Sequence, residues 1–226
     1  MKPTHEVDAG AFHSTKSPTS GIQEAIDSLD GRGGRVRIPS GKWKLTRSVQ
    51  VPSGVSLVGD GPSTILFISP LKVGALAKDI RKGGRVITLK GKVPFRVGQE
   101  IGVSDEVRGG WWGTHGLVEK IDGPQVTLSA RFNRTLYASD DAKAVSLFPA
   151  ITALDQEDLE IADLTILGPR GYKGKWWDFT YSAIHMVLCQ RVRITNVTVF
   201  AWPSDGIGVQ RGFDVQVSQC QAHGCR

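Results

Sequence analysis

The sequence predicts an all-β fold of the parallel β-helix kind, with one short helix near its start and a small antiparallel element in its middle. Three observations predict it. The stretches Asp158–Ile166, Arg191–Val199 and Asp214–Ala222 share one polar/apolar alternation, and their starts lie 33 and then 23 residues apart. Eight residues ahead of each start sits a matched pair: Ala150-Ile151, Ala183-Ile184 and Gly206-Ile207. Nearer the N-terminus, Pro39-Ser40-Gly41 and Pro52-Ser53-Gly54 punctuate strand-like stretches with the same turn tripeptide. Units of this length cannot bury their apolar faces alone, so they stack coil on coil.

The elements follow in order. Ile22, Ala25, Ile26 and Leu29 have the spacing of one helical face, which predicts a helix over 20–30 with Ser20 as its N-cap and Gly31-Arg32-Gly33-Gly34 as its stop. A β-helix leaves unpaired backbone and raw core at its end, and this helix is placed to cover it. Val36 and Ile38 then alternate with Arg35 and Arg37, Trp43 and Leu45 follow, and Val49 and Val51 alternate again. Residues 1–45 therefore read as cap and first strands. From about 72 the rhythm breaks. Strands are expected at 94–103, 116–121 and 125–128, with Asp122-Gly123 as a hairpin turn, so 93–147 reads as an antiparallel insertion. Alternation resumes from Ala144, and 148–226 reads as regular rungs. The ten extra residues of the longer unit fall around 168–178, as a loop thrown out between strands. The whole reads as a single domain. The series projects its next strand to open at 229, so the chain is expected to stop in mid-unit.

Composition narrows the partners. With 28 basic and 22 acidic residues the formal charge is +6, which fits an anionic partner or an ordinary solvated surface. No run of five basic residues and no aromatic RNA-binding signature occurs, which argues against nucleic acid. No segment is long and apolar enough to span a membrane, and the first residues lack the apolar core of a signal peptide. Cys189, Cys220 and Cys225 have no CxxC spacing, so neither a disulfide framework nor a metal site is expected. Cys220 takes the inward position that Val197 holds one unit earlier.

Residues 6–61 resemble the N-terminal part of the pectate-lyase superfamily, in particular its rhamnogalacturonase/epimerase-like group. The resemblance is carried by Asp8-Ala9-Gly10-Ala11, by the run from Gly21 to Asp27, by Gly33 to Trp43, and by Val51 to Gly61. An acidic stretch usual before the helix is replaced here by His13-Ser14-Thr15-Lys16-Ser17-Pro18. The resemblance implies a right-handed, pectin-lyase-like parallel β-helix, secreted, acting on acidic polysaccharide with uronic acid units. Lyase, glycoside hydrolase and C5-epimerase stay open, and so does a non-catalytic β-helix such as a phage tail-fibre or adhesin module. A lyase would bring Ca2+ into play as a cofactor; otherwise no cofactor is evident.

Within that frame, Ser204-Asp205-Gly206-Ile207 resembles the Asn-Thr-Asp-Gly motif of polygalacturonases, which implies an acid/base role for Asp205. Its equivalents one and two units earlier are Ser182 and Pro149, so the second carboxyl of an inverting hydrolase is missing from that row. The alternative for Asp205-Gly206 is a plain turn. Lyase chemistry needs a cation for the uronate carboxylate and a base for the neighbouring proton. Arg191, Arg193 and Arg211 are candidates for the first, His185 and His115 for the second. Alternation points His185, Arg191 and Arg193 away from the core. Trp111 and Trp112, between glycines, and Tyr172, Lys173, Lys175, Trp176 and Trp177, in the long loop, are the candidate substrate-binding residues. Their rings can stack on sugars or pack the loop down. Asp140-Asp141 reads as a turn, and no acidic cluster predicts a metal site.

Overall fold

The computed structural model of the chain describes residues 5–107, 113–169 and 181–225. They divide into two compact units. One holds the described residues up to Ser69 together with 149–169 and 182–225; the other holds 70–107, 113–148 and Tyr181.

The first unit opens with β1 (Glu6–Asp8), a helix α1 (Ile22–Asp27), β2 (Gly34–Ile38), β3 (Gly41–Leu45), β4 (Val49–Gln50), β5 (Val55–Gly59) and β6 (Thr64–Ile68). The second unit carries β7 (Val73–Ala75), β8 (Val86–Thr88), β9 (Glu100–Ser104), β10 (Thr114–Asp122), β11 (Gln125–Leu128) and β12 (Lys143–Val145). The chain then returns to the first unit with β13 (Ile151–Leu154), β14 (Glu157–Leu167), β15 (Ile184–Val187), β16 (Gln190–Phe200), β17 (Ile207–Gln210), β18 (Phe213–Ser218) and β19 (Gln221–His223).

Among the described residues every strand pairing in the first unit is parallel. One sheet runs β4-β13-β15-β17; the other runs β1-β2-β5-β14-β16-β18, with β3, β6 and β19 pairing beside the distal halves of β14 and β16. Each coil thus adds a strand to each sheet, which makes this unit a parallel β-helix. The ladder joins Ile151 to Ile184 to Ile207, and Ile161 to Ile194 to Val217. Like side chains stack in columns about 4.8 Å apart. Leu57, Ile161 and Ile194 make one such column, and Leu66, Ile166 and Val199 another, all fully buried.

The corners between strands are built the same way on successive coils. Asp155, Leu188 and Arg211 have φ of 54, 58 and 52°; Asp158, Arg191 and Asp214 have 58, 50 and 55°; Asp163, Asn196 and Gln219 have 56, 53 and 55°. These are left-handed conformations that Asp and Asn tolerate and other side chains adopt at a cost. Five of the nine are Asp or Asn. Adjacent corners also bond to each other: Asn196 Nδ2 donates to Asp163 Oδ1 at 2.7 Å, and Arg191 reaches Asp158 with two bonds, of 2.7 and 2.9 Å.

The helix is shorter than its apolar spacing predicts. Ile22, Ala25, Ile26 and Leu29 are all buried as expected, and α1 packs on β1, β2 and β4. Ser20 is not its N-cap, however. Ser20 and Gly21 have φ of 57 and 101°, so the helix begins only at Ile22, and Ser20 Oγ instead donates to Lys44 O at 2.8 Å. Hydroxyls farther back serve the free amides: Ser17 Oγ accepts from Gly21 N and Thr19 Oγ1 from Gln23 N. A Cβ at Gly21 would overlap Phe12 O, which explains the glycine.

The second unit is antiparallel throughout its described strands, in the order β7-β12-β9-β10-β11-β8. Its end strands also meet. Leu76 bridges Leu89, Ala77 N donates to Thr88 O, and Lys90 N donates to Ala75 O, both at 2.8 Å. The sheet is therefore closed into a six-stranded barrel, which removes its free edges. Ile87, Ile101, Val103, Val126, Leu128 and Phe132 fill it. Two sequence expectations change here. The strand expected from Pro94 starts only at Glu100, because Pro94 lacks an N–H and Gly98, at φ 81°, turns the chain. The alternation around Ala144 is β12, which pairs antiparallel with β7 and β9 rather than opening a parallel rung. Alternation marks a strand and is silent about its partner.

Leu188 tests the corner argument. Leu188→Gly is expected to hold or raise stability, since glycine takes this left-handed angle freely. Leu188→Val, β-branched at the same angles, should lower it by about 1–2 kcal/mol in chemical denaturation.

Candidate functional site

The sheet β4-β13-β15-β17 turns Ile184 and Met186 into the core and His185 to the opposite face. His185 is in register with Thr152 on the preceding coil and Gly208 on the next. Thr152 Oγ1 donates to His185 O at 3.0 Å, tying the coils at this row. Although it points away from the core, as alternation predicts, His185 is only 8% exposed. Burial drives its pKa below the ordinary histidine value, and the nearby Asp205 carboxylate opposes the shift more weakly. The ring is thus held in its basic, uncharged form near neutral pH.

Asp205 precedes β17 and is exposed, while its backbone carbonyl accepts from Ala183 N at 3.0 Å. The equivalent position one coil earlier is Ser182, which is buried. A Cβ at Gly208 would overlap Ser182 Oγ, so the glycine lets β17 lie against that hydroxyl. The structure therefore gathers Ser182, His185 and Asp205 on one face. The sequence pointed to Asp205 and His185 separately, by motif and by residue type. Nothing in it joined them, because Asp205 acts on His185 from the adjoining coil.

Arg211 is not in the His185 row. It occupies the left-handed corner after β17, exposed and without an ion pair among the described residues. Arg191 is held as part of a corner: Asp158 and Glu157 engage its guanidinium, and Asp158 first of all raises its pKa. Trp111, Trp112, Tyr172, Lys173, Lys175, Trp176 and Trp177 lie outside the described residues.

In the barrel unit His115 of β10 has a partner that the sequence did not announce. Its ring centroid lies 3.8 Å from that of Tyr181, which comes from a much later part of the chain. Burial raises the Tyr181 pKa, and the charge of Glu100 adds to this. His115 follows the Trp111-Trp112 pair by three residues and Tyr181 follows Trp176-Trp177 by four, the one sequence cue to this meeting. For calcium the described residues offer no group of three or more His, Cys, Asp or Glu side chains able to hold an ion.

No family model matches the sequence, and no curated protein matches it. Solved structures do match in fold. A candidate glycosyl hydrolase from Parabacteroides merdae aligns over 97% of this chain and 75% of its own, with 14% identity and a TM-score of 0.54. A Family 28 exopolygalacturonase from Yersinia enterocolitica aligns over 97% of this chain and 43% of its own, at 15% identity and a TM-score of 0.42. The tailspike gp61 of Pseudomonas phage phi297 aligns over 91% of this chain and 36% of its own, at 18% identity and a TM-score of 0.36. The similarity is to pectin-lyase-like parallel β-helix proteins, and at these identities it is a similarity of fold.

The His185 environment sets a pH dependence. Its folded-state pKa lies below the unfolded value near 6.5, so on acidification the unfolded chain takes up the proton first. The contribution of His185 to stability is complete above about 6.5 and is lost as the pH falls from there through the folded-state value. Asp205→Asn removes the charge that favours the protonated ring and should move the titration lower still. NMR titration of the His185 ring checks both. A midpoint above that of unfolded histidine, or one unmoved by Asp205→Asn, contradicts the reading.

Proposed function

We propose that this chain is part of a carbohydrate-active, right-handed β-helix enzyme that removes a proton from the uronic acid units of an acidic polysaccharide. The observation that carries the proposal is the buried imidazole of His185 beside Asp205 on the outward face of a parallel sheet. The P. merdae structure, a candidate glycosyl hydrolase of the same fold, supports a saccharide as the substrate. Right-handed connection is the general rule for parallel strands.

The proton on carbon 5 of a uronate is acidified by the adjacent carboxylate group. The unprotonated nitrogen of His185 takes that proton, and Asp205 stabilises the imidazolium that forms. In a lyase the electron pair left on carbon 5 forms the double bond to carbon 4 as the bond from carbon 4 to its glycosidic oxygen breaks, and the leaving oxygen takes a proton from water. In an epimerase water delivers a proton to carbon 5 from the opposite face. Two-carboxylate hydrolysis is less well supported, because Ser182 and Pro149 occupy the positions that would supply the second acid. Arg211 is a candidate cationic partner for uronate carboxylates, and Lys173 and Lys175 are candidates by sequence. By sequence, Trp111, Trp112, Tyr172, Trp176 and Trp177 are candidates for stacking on sugar rings. Secretion fits such a substrate.

The test is turnover on a panel of pectins, alginates and rhamnogalacturonans, following unsaturated products, reducing ends and exchange of the carbon-5 proton. His185→Ala should lower kcat by about 10²- to 10⁴-fold. Full activity in that variant would remove the proposed base. Silence of the protein across the whole panel would favour a binding or structural role, as in a tail-fibre module.

A further inference from the structure

We infer that the parallel unit carries a second saccharide-binding surface, on a different sheet from His185, which takes a linear glycan with widely spaced carboxylates. An open groove of about 720 Å3 crosses the outer face of the sheet containing β2, β5, β14, β16 and β18. Register places Ser56, Glu160, Arg193 and Gln216 in one row along it, each on its own coil. Arg35 heads the same row on β2. Five strands at about 4.8 Å make a track of about 19 Å. A pyranose unit advances a linear chain by a similar step, so successive sugars would meet successive coils.

The side chains are chemically ready for such a ligand. Arg193 is exposed and makes no ion pair among the described residues, although Glu160 is its register neighbour. Arg35 Nε is buried without a hydrogen-bond partner among the described residues. Arg191, by contrast, is already engaged by Asp158 and Glu157 and only walls the groove. The row thus alternates acceptor, donor and amide, which suits hydroxyls, with Arg193 able to take a carboxylate through two parallel bonds. The acidic side chains of the groove argue against a densely charged chain. Glu160 and Asp214 line the groove and would repel a polyphosphate or nucleic acid.

The ligand class rests on the proposed function, but the surface does not share its residues. A hyaluronan tetrasaccharide, with a carboxylate on every second sugar, is the probe, with a neutral cellotetraose and a linear polyphosphate as controls. Binding is measured by calorimetry in a His185→Ala background, so that turnover cannot interfere. The hyaluronan tetrasaccharide should bind, Arg193→Ala should weaken it about tenfold, and cellotetraose should bind more weakly. In NMR the Arg193 side-chain resonance should shift on addition of the probe. The inference is overturned if the hyaluronan tetrasaccharide does not bind, if Arg193→Ala binds as tightly as its parent, or if polyphosphate binds equally well. Absence of turnover on the substrate panel would overturn the proposed function alone, because this binding does not require His185.

Discussion

Each coil of the parallel unit has to turn at the same places as the coil beneath it. If one corner slipped by a single residue, the inward columns of Ile, Leu and Val would rotate outward and the ladder bonds would lose their partners. The left-handed corners meet this demand. Three of them recur at equivalent positions over three coils, and Asn196 to Asp163 and Arg191 to Asp158 fasten neighbouring turns together. Leu188, Arg191, Arg211 and Gln219 hold these angles without the local advantages of Asp or Asn, so the surrounding ladder imposes them.

The same constraint distributes the chemistry. In a stack of coils, residues one full turn apart in sequence become neighbours, and each outward row gathers side chains from separate parts of the chain. One row sets His185 above Thr152 and below Gly208. Another strings Ser56, Glu160, Arg193 and Gln216 along a groove. The glycines matter as much as the reactive groups here: Gly208 clears the space over Ser182 Oγ. The barrel unit works on a different principle. Its closed antiparallel sheet joins some strands across short connections, β10 with β9 and β11, and others across long ones, β12 with β7, and the chain's late return to that unit sets Tyr181 against His115.

Much of this was legible beforehand, and the reasons are local. The alternation in β14, β16 and β18, and the apolar face of α1, are properties of single segments that repeat visibly. Asp205 stood out by its motif. Legibility stopped where partners decide the outcome. Ser20 looks like an N-cap until the left-handed Gly21 delays the helix. The stretch around Ala144 alternates like a rung but pairs with the barrel. Arg191 looks like a free outward cation until Asp158 and Glu157 close on it.

The sequence by itself determined the all-β character, the period of the parallel coils and the inward set of residues, because the two-residue alternation and its spacing are written in the order of side chains. Only the tertiary structure decided the protonation bias of His185, the pairing of His115 with Tyr181, the closure of the six-stranded barrel and the row that crosses the groove. These depend on burial and on charge across neighbouring strands, and both exist only once distant segments have been brought into register.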